Sequence, residues 1–274
     1  MVRDLRGAVT GRTVVEVDLR RPDVVRFPAP DAFVGGLRDR TIDAAGRRGK
    51  FIHLALGPAG GAVPDAAEDV LVVHLGMTGH LDVCDARSAF RPHTHVRCVL
   101  DDGRELRFAD SRRFGRVLLG PLPVLEAARV LPRLGVEPLS DGFTAAVLDA
   151  RLRRTTRAVK AVLLDQSVVA GIGNIYADEA CFRAGIRPGR RAHRLTRAER
   201  ERLRTALVAV LEAAIVNRGT TFDDFRDVWD AKGGHQERLQ VYGRGGMPCL
   251  NCATPLRSAV LAGRTTVWCP ACQR

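Results

Sequence analysis

A chain of 274 residues with 43 Lys and Arg against 31 Asp and Glu carries a formal net charge of +12 and a pI near 10.3. That length buries a substantial core, room for two domains and an accessory module, and excludes a peptide hormone or a solvated tail. The charge points to a polyanionic partner, and nucleic acid outranks a membrane because no apolar run approaches the ~20 residues that a bilayer span requires.

The amino end, MVRDLRGAV, is charged where a secretion signal needs an apolar centre, so a cytoplasmic, nucleoid-associated protein is expected. Only Lys50, Lys160 and Lys232 are lysines; the Arg, Ala, Gly and Val richness suggests a GC-rich bacterial genome. Chemistry that needs a side-chain amine therefore has three candidates.

In chain order, Val2, Leu5 and Val9 share one face of a short helix that begins at the first residue with no Ser, Thr, Asp or Asn to cap it. Short β-rich runs follow: TVVEVDL, FIHLAL, VLVVHL, HLDVC, THVRCVL, RELRFA and RVLLG, divided by turns such as Asp101-Asp102-Gly103. They predict an antiparallel sandwich or barrel. Residues 57–69, rich in Gly, Ala and Pro, read as a mobile, dispensable loop. Pro123, Pro132 and Pro138 mark a linker with one short helical stretch.

Helical spacing then dominates. Val147, Leu148, Leu152, Val159, Val162 and Leu163 form an apolar face interrupted near Thr155-Thr156. Thr196-Arg-Ala-Glu199 is a capping-box pattern opening a run that ends at Asn217. The polar stretch 219–238, with Trp229 and Lys232, predicts a mobile loop. The expected class is α+β: an antiparallel β-sandwich in 1–121, a helix–two-turn–helix domain in 122–242 and a zinc ribbon in 243–274.

The stretch 164–188 reads as a helix, two turns and a second helix opened by Asn174. Backbone N–H groups of Gly173, Asn174 and Ile175 would lie at a helix N-terminus, where unpaired donors and the dipole favour an anion such as phosphate. Arg151, Arg153, Arg154, Arg157 and Lys160 precede it, and Arg183, Arg187, Arg190, Arg191 and Arg194 follow, as a phosphate-tracking surface would require. Cys249-x-x-Cys252 and Cys269-x-x-Cys272 have the spacing of a four-thiolate zinc site with no open position, hence one structural Zn2+ rather than a catalytic metal. Cys84, Cys98 and Cys181 read as buried hydrophobes. Arg264, between the cysteine pairs, sits where a hairpin would project toward DNA.

Gly171-Ile-Gly-Asn174-Ile-Tyr176-Ala177 followed by the four-cysteine ribbon resembles the formamidopyrimidine-DNA glycosylase and endonuclease VIII family. So do Arg47-Arg-Gly-Lys50-Phe51, His74-Leu-Gly-Met77-Thr-Gly79, Asp110-Ser-Arg112-Arg113-Phe114-Gly115, Gly135-Val-Glu-Pro138-Leu and Gln240-Val-Tyr242-Gly-Arg244, in the family's order and spacing. The resemblance implies a monomeric base-excision-repair protein, a DNA glycosylase and abasic-site lyase acting on oxidised purines in double-stranded DNA. Lys50, Asn174 and Arg264 would grip phosphates around the damaged nucleotide, with DNA held from both the sandwich and the helical side. His74, and the pair His93 and His95, could also touch phosphate. Met77, Arg112 and Phe114 would fill the gap left by a flipped base, offsetting a few kcal/mol of lost stacking and pairing. These three favour the formamidopyrimidine branch.

The family's members begin with Pro-Glu, the proline amine forming a Schiff base and the glutamate moving protons. Met1-Val2-Arg3-Asp4-Leu5 aligns instead with the middle of the family's first helix. Three readings follow: a start codon placed too far downstream, a non-catalytic binder of lesions or abasic sites, or a substitute amine, for which Lys50 is best placed. An RNA-binding protein is a remoter fourth, since similar helical elements and four-cysteine ribbons occur in ribosomal proteins.

Overall fold

The computed structural model describes residues 1–58, 69–221 and 226–274, in two compact units. The first comprises Met1–Pro132 and Thr220–Gly233. Helix α1 (Val2–Val9) is followed by β1 (Val14–Leu19), β2 (Val25–Phe27), α2 (Pro30–Leu37), β3 (Ile42–Arg48), β4 (Phe51–Leu56), β5 (Asp69–His74), β6 (Gly79–Asp85), β7 (Thr94–Leu100), β8 (Arg104–Asp110), β9 (Arg116–Pro121) and α3 (Leu122–Ala127). Four strands pair in the order β1-β7-β8-β6 and five in the order β2-β9-β5-β4-β3. The expected sandwich is antiparallel except for β2 beside β9, which is parallel.

Apolar side chains of both sheets build it. Leu106 and Phe108 of β8 enter the same core as Leu81, Val96, Leu54, Leu71, Val73 and Val117 from both sheets, and Leu5 and Val9 fasten α1 there. Each expected strand lies within about two residues of an observed one, whereas β2, α2 and β3 have no counterpart in the sequence reading. In IDAAGRR only Ile42 is a strong β-former, and the strand exists because residues 42–48 pair with β4. Helix α2 opens with Pro30 and packs so closely that a Cβ on Gly36 would stand 2.8 Å from Leu119 Cδ2. The loop expected at 57–69 falls largely on 59–68, outside the described residues.

The stretch expected to be a mobile loop at 219–238 is a built turn from Arg226 onward. Val228 is fully buried in the sandwich core, its carbonyl accepting Val83 N–H at 3.0 Å. Asp227 Oδ1 accepts the N–H groups of Trp229 and Ala231 at 2.9 Å each. A buried valine followed by an exposed tryptophan carries too little periodicity to announce this.

The second unit comprises Arg133–Gly219 and Gly234–Arg274. It contains α4 (Ala145–Arg153), α5 (Val159–Leu163), α6 (Asn174–Arg183), α7 (Arg197–Val216) and the hairpin of β10 (Arg257–Leu261) with β11 (Arg264–Trp268). The capping box is formed: Thr196 Oγ1 accepts Glu199 N–H at 3.2 Å, and Glu199 Oε2 accepts Thr196 N–H at 2.7 Å. Leu148, Leu152, Val159, Leu163, Ile172, Ala177, Leu203 and Leu207 share one core.

Two carboxylates on α6 join the helices to the ribbon. Asp178 and Lys160 are both fully buried and stand 2.7 Å apart; Lys160 Nζ also donates to Thr266 Oγ1 at 2.7 Å and Thr265 O at 3.0 Å, while Asp178 Oδ2 accepts Val267 N–H at 3.1 Å. Burial lowers the Lys160 ammonium and pushes Asp178 up to about 6, the partner opposing each shift. Glu179 accepts the N–H groups of Gln240, Val241 and Tyr242, each at 2.9 Å. Lys160 therefore leaves the proposed phosphate-tracking set: it is internal. Removing one member of such a pair strands a buried charge, so Lys160→Met should cost about 3–5 kcal/mol and the Lys160→Met, Asp178→Leu double variant much less. Denaturant unfolding checks this, and a single-variant loss below about 1 kcal/mol contradicts it.

Candidate nucleic-acid interface

In the first unit, two turns are pinned by one carboxylate. Asp110, 1% exposed, accepts the hydroxyl of Thr78 and, through backbone N–H groups, Arg112 at 3.2 Å and Gly115 at 2.6 Å. Its own carbonyl is 2.8 Å from His95 Nε2, which makes the buried His95 a structural residue and not a phosphate contact. The turns touch: at Gly76, φ +65°, a Cβ would meet Gly115 N at 2.6 Å, so glycine is obligatory. The result is a tip on which Met77 is 57% and Phe114 52% exposed. Arg112 bridges them, its guanidinium 4.7 Å from the Phe114 ring centre and Nη1 4.0 Å from Met77 Sδ. The three residues expected to fill a base gap are thus together, with both apolar side chains in solvent.

Lys50 is exposed in the β3–β4 turn, where Gly49 has φ +57°. Register places Phe51 opposite His74, their rings 4.8 Å apart, and brings Lys50 alongside His74. Burial, then Arg116 and Lys50, depress His74 to about 4, leaving it neutral near pH 7. Nδ1 accepts Gly76 N–H at 3.2 Å, which assigns the proton to Nε2 as a donor. His93 adopts φ +63° in the turn before β7 and is exposed.

In the second unit the two-turn segment is held by Gln166, whose Oε1 accepts Gly171 N–H at 2.9 Å and whose Nε2 donates to Leu164 and Ile172 carbonyls at 3.0 and 2.9 Å. Gly135 fits where a Cβ would stand 2.2 Å from Val168 O. Gly171 takes φ +86°, whereas Gly173, the N-cap, is extended and no side chain caps α6. The open helix start expected from the sequence is present. Asn174 Nδ2 donates to Thr265 O at 3.1 Å, so this side chain also docks the hairpin. Ala262 and Gly263, at φ 51° and 70°, make the two-residue turn between Leu261 and Arg264. Arg264, exposed, begins β11 beside the Asn174 contact.

The flanking arginines divide. Arg157 pairs with Asp165 at 2.9 Å, Arg190 with Glu199 at 2.6 Å and Arg153 with Asp149 at 3.6 Å, while Arg191 donates to Thr156 O at 2.8 Å. Local acids and carbonyls claim these cations, so the run is partly scaffold.

Cys249, Cys252, Cys269 and Cys272 bring all four sulfurs within 4.8 Å of one another. Separations of 4.0 Å for Cys249–Cys272, 3.5 Å for Cys252–Cys269 and 3.4 Å for Cys252–Cys272 approach the ~3.8 Å edge of a tetrahedron with 2.3 Å metal–sulfur bonds. The four thiols fit one structural zinc, which supplies cross-links to a ribbon with a small core of its own. Cys98 and Cys181 are buried, with thiols pushed up by desolvation, Cys98 to about 12.

A helix–two-turn–helix joined to a four-cysteine zinc ribbon, in a chain that also carries a β-sandwich, defines the class of protein. Family models agree: the formamidopyrimidine-DNA glycosylase N-terminal domain matches residues 1–117, the H2TH domain of the same glycosylase 134–225, and the zinc finger found in FPG and IleRS 246–274. The formamidopyrimidine-DNA glycosylase of Geobacillus kaustophilus is 41% identical over 273 residues, covering 99% of this chain and 96% of that protein. That of Symbiobacterium thermophilum is 44% identical, covering 99% and 86%. The solved MutM (Fpg) protein of Thermus thermophilus superposes with a TM-score of 0.86 at 41% identity, covering 99% of this chain and 95% of that one. Fpg of Lactococcus lactis, solved with DNA containing an abasic site, gives 0.89 at 27% identity over 100% and 96%. The chain belongs to the formamidopyrimidine-DNA glycosylase family.

His74 binds no proton in the folded state until pH nears 4, whereas its unfolded counterpart protonates near 6.5. The stability it contributes is complete above about 6.5 and is lost as pH falls toward 4. His74→Gln should flatten the stability profile in that window; an unchanged profile contradicts the assignment. Chelation of zinc should abolish DNA binding while the cooperative unfolding of the sandwich unit survives, checked by metal analysis, calorimetry and a mobility shift. Intact binding after verified metal loss contradicts it.

Proposed function

We propose that this protein binds damaged double-stranded DNA and acts in base-excision repair on oxidised purines, with abasic-site lyase chemistry following base removal. The observation that carries this is the exposed tip of Met77, Arg112 and Phe114, two apolar side chains and a guanidinium gathered in solvent on turns that Asp110 pins. In that reading the two apolar side chains occupy the stack vacated by the flipped nucleotide and Arg112 faces the orphaned partner base. Lys50 and Arg264 supply charge to phosphates, His74 a neutral Nε2–H donor, and the open start of α6 its backbone donors. A three-part division into sandwich, helical domain and ribbon, the monomeric state and a cytoplasmic site at the nucleoid belong to the same proposal, with the expected bounds 1–121, 122–242 and 243–274 amended because 122–132 and 220–233 pack with the first unit. Among the described residues no helix is long and apolar enough to cross a membrane, in keeping with it.

The lyase step needs an amine to attack C1′ and form an imine. Lys160 is excluded by burial and pairing. Lys50, exposed and beside His74, is the side-chain candidate. Borohydride trapping on abasic-site DNA tests it: an adduct lost in Lys50→Ala supports Lys50, an adduct retained assigns the amine elsewhere, and no adduct with the unaltered chain rules Lys50 out, trapping restored by adding upstream codons then meaning a displaced start codon and trapping still absent a lesion binder without catalysis.

Arg264→Ala should weaken binding to all duplexes and reduce the slope of log K against log salt by about one charge, whereas His74→Gln should leave the slope unchanged. Phe114→Ala should reduce discrimination of damaged from intact duplex more than overall affinity. Titrations at several salt concentrations check both; an unchanged slope for Arg264→Ala, or equal losses on both duplexes for Phe114→Ala, contradicts them.

A further inference from the structure

The carboxyl-terminal halves of α6 and α7, the turn at 235–240 and Asn251 of the ribbon surround a cavity of about 400 Å³, within the range that small ligands occupy. Phe182, Val210 and Ala213 give it an apolar floor, and Arg183, Arg238 and His235 line its polar side. Glu179 also borders it, but its two oxygens are committed to the N–H groups of Gln240, Val241 and Tyr242. Some arginines of this unit are paired, as Arg157, Arg190 and Arg200 are with Asp165, Glu199 and Asp149. Among the described residues neither Arg183 nor Arg238 has such a partner. Arg183 and Arg238 both line this concave, partly apolar site, and two guanidinium groups there favour an anion; guanidinium geometry suits phosphate or carboxylate.

We propose that this cavity binds a small organic anion carrying a planar ring, of the class of nucleoside monophosphates, with its anionic group on Arg183 and Arg238 and its ring on the floor of Phe182 and Val210. The site is separate from the phosphate surface at the start of α6. Glu179, Phe182 and Arg183 follow Asn174 by five to nine residues, or about 8–14 Å along a helix rising 1.5 Å per residue. The Tyr176 ring, in the first turn of α6, lies 6.3 Å from the ring of His235 at the cavity's edge.

Calorimetric titration of the zinc-loaded chain with deoxyguanosine 5′-monophosphate tests the proposal, with inorganic phosphate and deoxyguanosine as separate arms. Both arginines are exposed, so the Arg183→Ala, Arg238→Ala double variant should keep its zinc and its far-UV spectrum while its affinity falls at least tenfold; Arg264→Ala should bind as the unaltered chain does. The monophosphate should bind at least tenfold more tightly than either fragment. The proposal is overturned by no binding at millimolar concentration, by equal affinity for inorganic phosphate, by an unchanged constant in the double variant, or by loss on Arg264→Ala, which would put the ligand on the DNA-facing surface.

Discussion

The arrangement of the second unit depends on a charge placed where water is absent. Asp178 and Lys160 would each be costly to bury alone; together, with Thr266 and the Thr265 carbonyl completing the ammonium's donors, they fix β11 against α5 and α6. The neighbouring Glu179 does the same for 240–242 through three N–H groups. Successive residues on one helix thus tie down the hairpin and the strand-like stretch that leads to the ribbon. Zinc then holds the far end of the hairpin through Cys249, Cys252, Cys269 and Cys272. If Asn174 and Arg264 bind phosphate, as proposed, they gain from such rigidity, because a preorganised site loses less conformational freedom on binding.

The first unit solves a related problem with one carboxylate. Exposed apolar residues such as Met77 and Phe114 favour collapse onto the nearest surface, and they stay out because Asp110 fixes the backbone of both turns and Gly76 lets those turns touch. Arg112 lies over the Phe114 ring, so the guanidinium is partly desolvated before DNA arrives. Burial, reinforced by Arg116 and Lys50, holds His74 neutral beside the cation of Lys50; in the proposed function the cation would supply long-range attraction and the imidazole a neutral donor.

Much of this was legible in the sequence, for identifiable reasons. Strands such as FIHLAL and THVRCVL are rich enough in β-forming residues and bounded clearly enough by turns to be read, and the thiolate spacing and the Thr196–Glu199 capping box are local patterns with one physical meaning each. The strand at 42–48 was not legible, since its partner creates it, and neither was the burial of Val228 inside the sandwich. Arg107, 2% exposed and paired with Glu105, reads as a solvated strand residue until the carbonyls of Ser88 and Ala89 are seen to cover it. Lys160 is the sharpest case: in a run of arginines it reads as surface, and only the fold supplies Asp178. Asp110, Gln166, Asp178 and Glu179 share a signature that sequence shows faintly, an acid or amide beside a glycine turn or on an apolar helix face.

The central claim is that the start of α6 and the hairpin residue Arg264 act as one anion-binding surface, joined by the Asn174–Thr265 hydrogen bond. A double-mutant cycle with Asn174→Ala and Arg264→Ala, read as DNA-binding constants at fixed salt, tests it most directly. The account predicts that the two losses are not additive, with a coupling of about 0.5–3 kcal/mol. Losses that add to within about 0.3 kcal/mol would show that the two residues act independently and would contradict it.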